Sequence, residues 1–218
     1  MSAIATELAG ERVLLLPQKA LYWPAAKTLM VADIHFGKAA SFRALGVPVP
    51  RGTTSENLAA LEMLLSTRDT QRIVFLGDFL HAKAAQAPAT LQAMLDWRSR
   101  HPGLELVLVR GNHDRHAGDP SELLHVAMAD EPFACGPFAL CHHPDVACQG
   151  YVIAGHVHPV FHLRTARESL RLPCFLLGTT RAILPAFGAF TGGHSLVPQA
   201  SDKVYVVADE SVFLIEKR

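Results

Sequence analysis

Residues 104–116 read LELVLVRGNHDRH. An apolar run from Leu104 to Val109 breaks at Arg110-Gly111, and Asn112, His113 and Asp114 follow at once. A short apolar run bounded by turn residues reads as a buried strand. A turn has use for Gly and Asn, but none for the His and Asp behind them. The stretch therefore predicts a strand whose carboxyl end carries chemistry, which is where sites assemble in α/β sheets.

Four more segments repeat this pattern. Thr28 to Ala32 runs into Asp33-Ile34-His35, and Arg72 to Leu76 into Gly77-Asp78. Phe138 to Cys141 precedes His142-His143, and Tyr151 to Ala154 precedes Gly155-His156-Val157-His158. Leu14 to Leu16, Cys174 to Leu177, Lys203 to Val207 and Val212 to Ile215 read as further strands. Thr53 with Glu56 forms a capping box opening a helix through Leu58, Leu61, Met63, Leu64 and Leu65. A second helix is predicted from about Ala87 to Ser99, closed by Pro102-Gly103. Asp119, Pro120 and Glu122 predict the start of another. Strands and helices alternate first, and strands dominate afterwards. That order predicts an α/β chain with two packed sheets and helices outside, as one domain over residues 1–218.

Composition narrows the partners. Half of the 218 residues are apolar and 18% are charged, which excludes a disordered tail, a collagen-like chain and a charged coiled coil. Twenty basic residues balance twenty acidic ones, so a broad nonspecific grip on DNA is not expected, while a nucleic acid held at a local site is compatible. Residues 1–118 carry 13 basic and 10 acidic side chains against 7 and 10 in residues 119–218. A phosphate-bearing partner should favour the surface of the first part. Cys135, Cys141, Cys148 and Cys174 form no CxxC and read as buried or incidental thiols of a reducing cytosol. No apolar run reaches the ~18 residues of a membrane span, and the first residues do not read as a secretory signal. A cytoplasmic protein with no membrane partner is the expectation.

The polar clusters have the chemistry of two divalent cation sites. Asp33 and His35 can reach one ion together, and the two oxygens of Asp78 can bridge two. Asn112 offers a carbonyl oxygen, and His142, His156 and His158 offer imidazole nitrogens. This mixed set suits Mn²⁺, Fe²⁺, Zn²⁺ or Co²⁺, and the several imidazoles count against Mg²⁺ alone. Two ions ~3.5–4 Å apart grip phosphate oxygens and activate water. If the chain is still extended at His142-His143, the two rings point oppositely and only one ligates. Lys38 and Arg43, after the first cluster, are candidate substrate contacts, and Arg110 and Arg115, flanking the third, read either as substrate contacts or as solvated surface residues. His81 reads equally as a substrate contact or a satisfied polar residue. His101, before Pro102 at a predicted helix end, reads as exposed, and His116, His125, His162 and His194 read as structural or solvent-facing. Residues 178–193 are either a loop at the site mouth or a simple connection.

In this order, the five clusters resemble those of the calcineurin-like metallophosphoesterases. More narrowly, Asp33 to Lys38, Leu76 to His81, and Cys141-His142-His143-Pro144 through Gly155-His156-Val157-His158-Pro159 resemble the bacterial ligase-associated DNA damage response endonucleases. The resemblance implies a four-layer metallophosphoesterase sandwich, with two mixed β-sheets flanked by helices. It implies a manganese-dependent phosphoesterase linked to DNA repair, with DNA as a substrate and a DNA ligase or helicase as an associate. It implies Asp33, His35, His158 and Asp78 around one ion, and Asn112, His142, His156 and Asp78 around the other. It favours His142 over His143. It makes His113 the charge stabiliser or leaving-group acid, with Asp114 orienting the imidazole. Where many members carry an Asp shortly after Gly-Asp, this chain has His81. A small-molecule phosphomonoesterase or nucleotide hydrolase would use the same core, and a non-catalytic scaffold would share the fold. A homo-oligomer is compatible with the sequence and is not compelled by it.

Overall fold

The computed structural model describes residues 2–49, 52–82, 85, 87–164 and 168–216, with Arg115 described along its backbone only. Sixteen strands in two mixed sheets, with helices flanking, form its frame. The first sheet takes β1 (Ile4–Leu8), β2 (Glu11–Leu15), β3 (Leu21–Trp23), β4 (Thr28–Ala32), β5 (Arg72–Leu76), β6 (Glu105–Val109) and β7 (Val126–Ala129) in sequence order. From β4 to β7 every pairing is parallel. The second sheet takes β8 (Phe133–Cys135), β9 (Phe138–Cys141), β10 (Tyr151–Ala154), β11 (Pro159–Arg164), β12 (Ser169–Leu177), β13 (Arg181–Ile183), β14 (His194–Ser195), β15 (Lys203–Ala208) and β16 (Ser211–Ile215). Four α-helices are described: α1 (Lys38–Ala44), α2 (Thr53–Thr67), α3 (Pro88–Arg100) and α4 (Asn112–Ala117). None is long and apolar enough to cross a membrane.

Strand periodicity sorts the core into two layers. Met30, Ala32, Val74, Leu76, Val107 and Val109 face the second sheet and pack with Phe138, Leu140, Ile153, Phe175 and Tyr205. Their neighbours Leu29, Val31, Ile73, Phe75, Leu106 and Leu108 face the opposite way, onto Leu58, Leu61 and Leu64 of α2 and Met94 and Trp97 of α3. Strands covered on both faces need continuous apolar runs, which is why β4, β5 and β6 were legible as such. The outer face of β9 and β10 carries a small cluster of Ala139, Cys141, Val152 and Ala154, with Val146 and Cys148 of the following loop packed on it. All four cysteines are free, and burial pushes the Cys141 and Cys174 thiols up to about 12.

Three local expectations are corrected. Gly52, at φ 96°, is the N-cap of α2, so Thr53 is its first helical residue and makes no capping box. Thr54 Oγ1 instead accepts the N–H of Gly37. Asp119 and Pro120 open no α-helix. Only a 3₁₀ turn, Glu122–Leu124, fits before His125 turns to φ 50° and β7 begins. His101 is not solvent-facing: its ring leans on Trp97 and its Nε2 lies 2.9 Å from Glu62 Oε2.

Register places the strand ends together. Ala32, Leu76 and Val109 are aligned across β4, β5 and β6, so Asp33, Asp78 and Asn112 emerge along one edge. Cys141 is aligned with Ala154 in the parallel β9–β10 pair, so His142 and His156 emerge along one edge of the second sheet.

Phe175 is fully buried between the sheets. Phe175→Ala should lower unfolding free energy by about 3–5 kcal/mol, measured by urea denaturation. An unchanged midpoint would contradict a shared core between the sheets.

Candidate functional site

The site forms where the two sheets end. Asp33, His35, Asp78, His156 and His158 all have positive φ, between 46° and 67°. Non-glycine residues rarely adopt that conformation, and such residues cluster where a fold holds functional groups against local preference. Close approach demands glycine beside them. A Cβ on Gly155 would lie 2.6 Å from Asp33 Oδ2, and one on Gly111 would lie 2.5 Å from Asp78 Oδ1.

Asp33, His35, Asp78 and His158 form one group, each offering a ligand atom within 4.8 Å of the others. Asp33 Oδ2 accepts the N–H of His156 at 2.9 Å and lies 3.5 Å from His158 Nε2. Asp33 Oδ1, both ring nitrogens of His35 and Nε2 of His158 are buried without a hydrogen-bond partner. Buried polar atoms are normally paired, so four orphans at one point mark a place for something else. Burial, aided by Lys38, pushes the His35 pKa far down, so this imidazole is neutral and one of its two nitrogens has a lone pair free to ligate. Burial raises the Asp78 carboxyl, opposed by the N–H of His113. A divalent cation would relieve both effects, and the donor set fits one.

A second group stands beside it. His142 Nδ1 donates to the Leu76 carbonyl at 3.2 Å, which leaves Nε2 with only a lone pair. That nitrogen meets Asn112 Oδ1 at 2.8 Å and His156 Nδ1 at 3.0 Å. His156 Nδ1 can donate to it, but Asn112 Oδ1 is an acceptor, and two acceptors at that distance repel unless a cation is held by both. Burial lowers the His142 pKa to about 4 and also lowers that of His156. Asp78 faces both groups, with Oδ2 3.8 Å from His35 Nε2 and Oδ1 3.6 Å from His142 Nε2.

His143 departs from the sequence expectation. Glu131 Oε2 accepts the N–H of both His142 and His143, each at 2.9 Å. Consecutive N–H groups of an extended strand point oppositely, so the chain has already turned after Cys141. The rings of His142 and His143 therefore lie together, 4.6 Å apart, with His143 also 4.5 Å from His156. A ring nitrogen of His143 joins those of His142 and His156 within 4.8 Å. Glu131 is a site residue that sequence reasoning missed. Burial would raise its pKa, but the donors on His143 and His142 hold it below the usual value.

His113 enters through its backbone and ring. Its N–H donates to Asp78 Oδ1 at 3.0 Å, and its Nδ1 lies 3.1 Å from the His81 carbonyl. Its Nε2 lies 3.9 Å from Asp78 Oδ2. The expected orienting role of Asp114 is not what the structure shows. Asp114 is buried, with Oδ1 accepting from Phe79 and Leu80 and Oδ2 from Gly111. It pins the Asp78 turn to the start of α4, while the His81 carbonyl orients the His113 ring. The His81 ring stacks between those of Phe42 and His113, and burial lowers its pKa to about 4.

Among the basic candidates, Lys38 is half-buried and lines an open cleft with His156, His158, Gly192, Gly193 and His194. Arg43 is exposed on α1. Arg110 is engaged by Asp119 at 3.0 Å and Asp130 at 3.7 Å, so it is not offered to the site. Arg115 lies on α4, and its side chain is outside the described residues. Residues 178–193 do reach the mouth. Phe187 and Gly188 donate to the Ala32 and Asp33 carbonyls, and Phe190 meets Phe42 edge-on. Buried Asn57 fastens this segment, donating to the Ile34 carbonyl and accepting from Ala189, both at 2.9 Å. A polar residue on the apolar face of α2 was the signal that could have revealed it.

Two packed sheets with these strand-end clusters define a phosphoesterase architecture, and residues 26–156 match the family model for calcineurin-like phosphoesterases. The chain belongs to that family. The solved structure of nuclease MPE from Pseudomonas putida is similar at 47% identity, with a TM-score of 0.84, covering 94% of this chain and 97% of that one. A protein of unknown function from Aquifex aeolicus aligns at 19% identity and a TM-score of 0.42, over 60% of this chain and 78% of its own. No curated protein sequence matches.

Gly155→Ala should push Asp33 out of place and weaken divalent-cation binding about tenfold or more, read by calorimetric titration with Mn²⁺ as the probe. Unaltered affinity would show that the close approach of Gly155 does not set Asp33.

Proposed function

We propose that this chain is a dinuclear metal-dependent phosphodiesterase that cleaves nucleic acid, with DNA the favoured substrate. The observation that carries the reading is the set of unpartnered donors around Asp33 and His35, with Asp78 facing both this group and the His142 group. Asp33, His35 and His158 would hold one ion, Asn112, His142 and His156 the other, and Asp78 both. Bound divalent ions supply positive charge to phosphate oxygens and lower the pKa of water. The imidazole set supports Mn²⁺, Fe²⁺, Zn²⁺ or Co²⁺, and the family resemblance favours Mn²⁺.

The chain's own groups do the remaining work. Asp33 and Asp78 are held by the backbone N–H groups of His156 and His113, so neither must reorganise when a cation arrives. With Nδ1 donating to the His81 carbonyl, His113 presents Nε2 toward the centre, where it can hold a proton for a departing oxygen. Lys38 stands at the cleft to meet a second phosphate. The likeness to a nuclease over nearly the whole chain supports a nucleic-acid substrate over a small monoester. A place in DNA repair, beside a ligase or helicase in the cytoplasm, follows from the motif resemblance. A scaffold role is disfavoured because His113 and every candidate ligand are present.

Metal analysis coupled to a substrate panel tests the reading: an aryl phosphodiester, an aryl phosphomonoester, nucleotides, and single- and double-stranded DNA. DNA cleavage is expected, and hydrolysis of the monoester alone would replace the proposal. Asp78→Asn should reduce content of both ions and abolish turnover; full metal content with normal hydrolysis would remove the bridge. His113→Ala should keep the metals and slow turnover by about 10²–10⁴, most for poor leaving groups. An equal loss across leaving groups would rule out proton donation.

A further inference from the structure

We propose that Glu131 is a positioning residue for the second metal position, acting through the backbone of His142 and His143 and through the His143 ring. The inference rests on the two-ion reading above. Glu131 lies between β7 and β8, outside the motifs, and its side chain is only 12% exposed. All of its described hydrogen bonds go to one side of the centre. Oε2 accepts from the His142 and His143 N–H groups, and Oε1 lies 2.7 Å from His143 Nδ1.

The reason lies in the strand end. β9 stops at Cys141, so the next two N–H groups lose their ladder partners. Buried N–H groups need an acceptor, and a carboxylate is a strong one. Drawing both donors to one oxygen fixes two successive peptide planes, and with them the direction in which the His142 side chain leaves. The Leu76 carbonyl then sets the tautomer of His142, whose Nε2 is brought to Asn112 and His156. The same carboxylate holds His143 by Nδ1–H, so the free nitrogen of that ring is Nε2. The His143 ring packs against both His142 and His156 and walls their position. Carboxylates that hold metal-site imidazoles in this way fix ring orientation and tautomer, and their loss costs metal affinity.

One-sidedness makes the role measurable. Full-length wild type, Glu131→Ala and Glu131→Gln are titrated with Mn²⁺ by calorimetry and with Co²⁺ by visible absorption. Glu131→Ala should bind one equivalent at wild-type affinity and the other about 10–100-fold more weakly, with an altered Co²⁺ spectrum for that equivalent. Glu131→Gln keeps an acceptor for the N–H groups but sets an amide donor against His143 Nδ1, and should fall between. It carries the test if the alanine variant does not fold. A merely structural glutamate would lower the melting temperature and leave two wild-type equivalents, which would overturn the proposal. Equal weakening of both equivalents would also overturn it. Wild-type protein that takes up no divalent ion would remove the two-ion reading together with this one. Two wild-type equivalents with indifferent Glu131 variants would remove only the role of Glu131.

Discussion

Two carboxylates, Asp33 and Asp78, are buried side by side among imidazoles that burial keeps neutral. Taking a carboxylate out of water is costly unless charge or hydrogen bonds compensate it. Here the compensation is partial. Asp33 receives one backbone N–H and Asp78 another, and one oxygen of Asp33 is left with no partner. The neutral rings of His35 and His142 add lone pairs and no positive charge. The fold thus concentrates electron pairs at the meeting edge of two sheets, an arrangement that favours a strongly bound cation. Left-handed backbone at five ligand-bearing positions is a further cost accepted at the same place.

That concentration requires the parallel register. Because Ala32, Leu76 and Val109 are aligned, three polar residues from segments far apart in the chain arrive at one edge within one to three residues of their strand ends. The β9–β10 pair does the same from the opposing sheet. Packing between Met30, Val74 and Val107 on one side and Phe138, Ile153 and Phe175 on the other then sets the relation of the two edges. Sites on rigid elements hold their geometry better than sites on loops. Core and chemistry are therefore coupled: a cavity between the sheets would change the distance between ligand groups as well as stability.

What was legible in the sequence follows the same division. Buried parallel strands are continuous apolar runs, so β4, β5, β6, β9 and β10 could be read, and the polar residues after each run marked the site. Relations fixed only by tertiary contact could not be read. Asn112-His113-Asp114 looks like the end of a turn but is the first turn of α4, which frees Asp114 to reach the Gly111, Phe79 and Leu80 N–H groups instead of the His113 ring. The His142-His143 pair looks extended but has turned, because Glu131, eleven residues upstream of His142, gathers both N–H groups. Glu131, one of two adjacent acids before Pro132, carries no periodicity or motif that would announce such a role. Short strands such as β3, β13 and β14 were missed because two or three residues hold too little pattern.

A common metal core serves many esters, so selectivity has to come from the rim. The family match ends at residue 156, just before His158 and the segment 178–193 that closes the mouth. That segment is not a passive connection. Asn57 ties it to the Ile34 carbonyl, Gly188 donates to the Asp33 carbonyl, and His194, the residue just after it, donates to that of His158. Each bond ends on the backbone of a ligand-bearing loop. Phe190 of the same segment meets Phe42 edge-on, and Phe42, His81 and His113 form a row of stacked rings, so the rim and the ring of His113 are joined by one continuous packing.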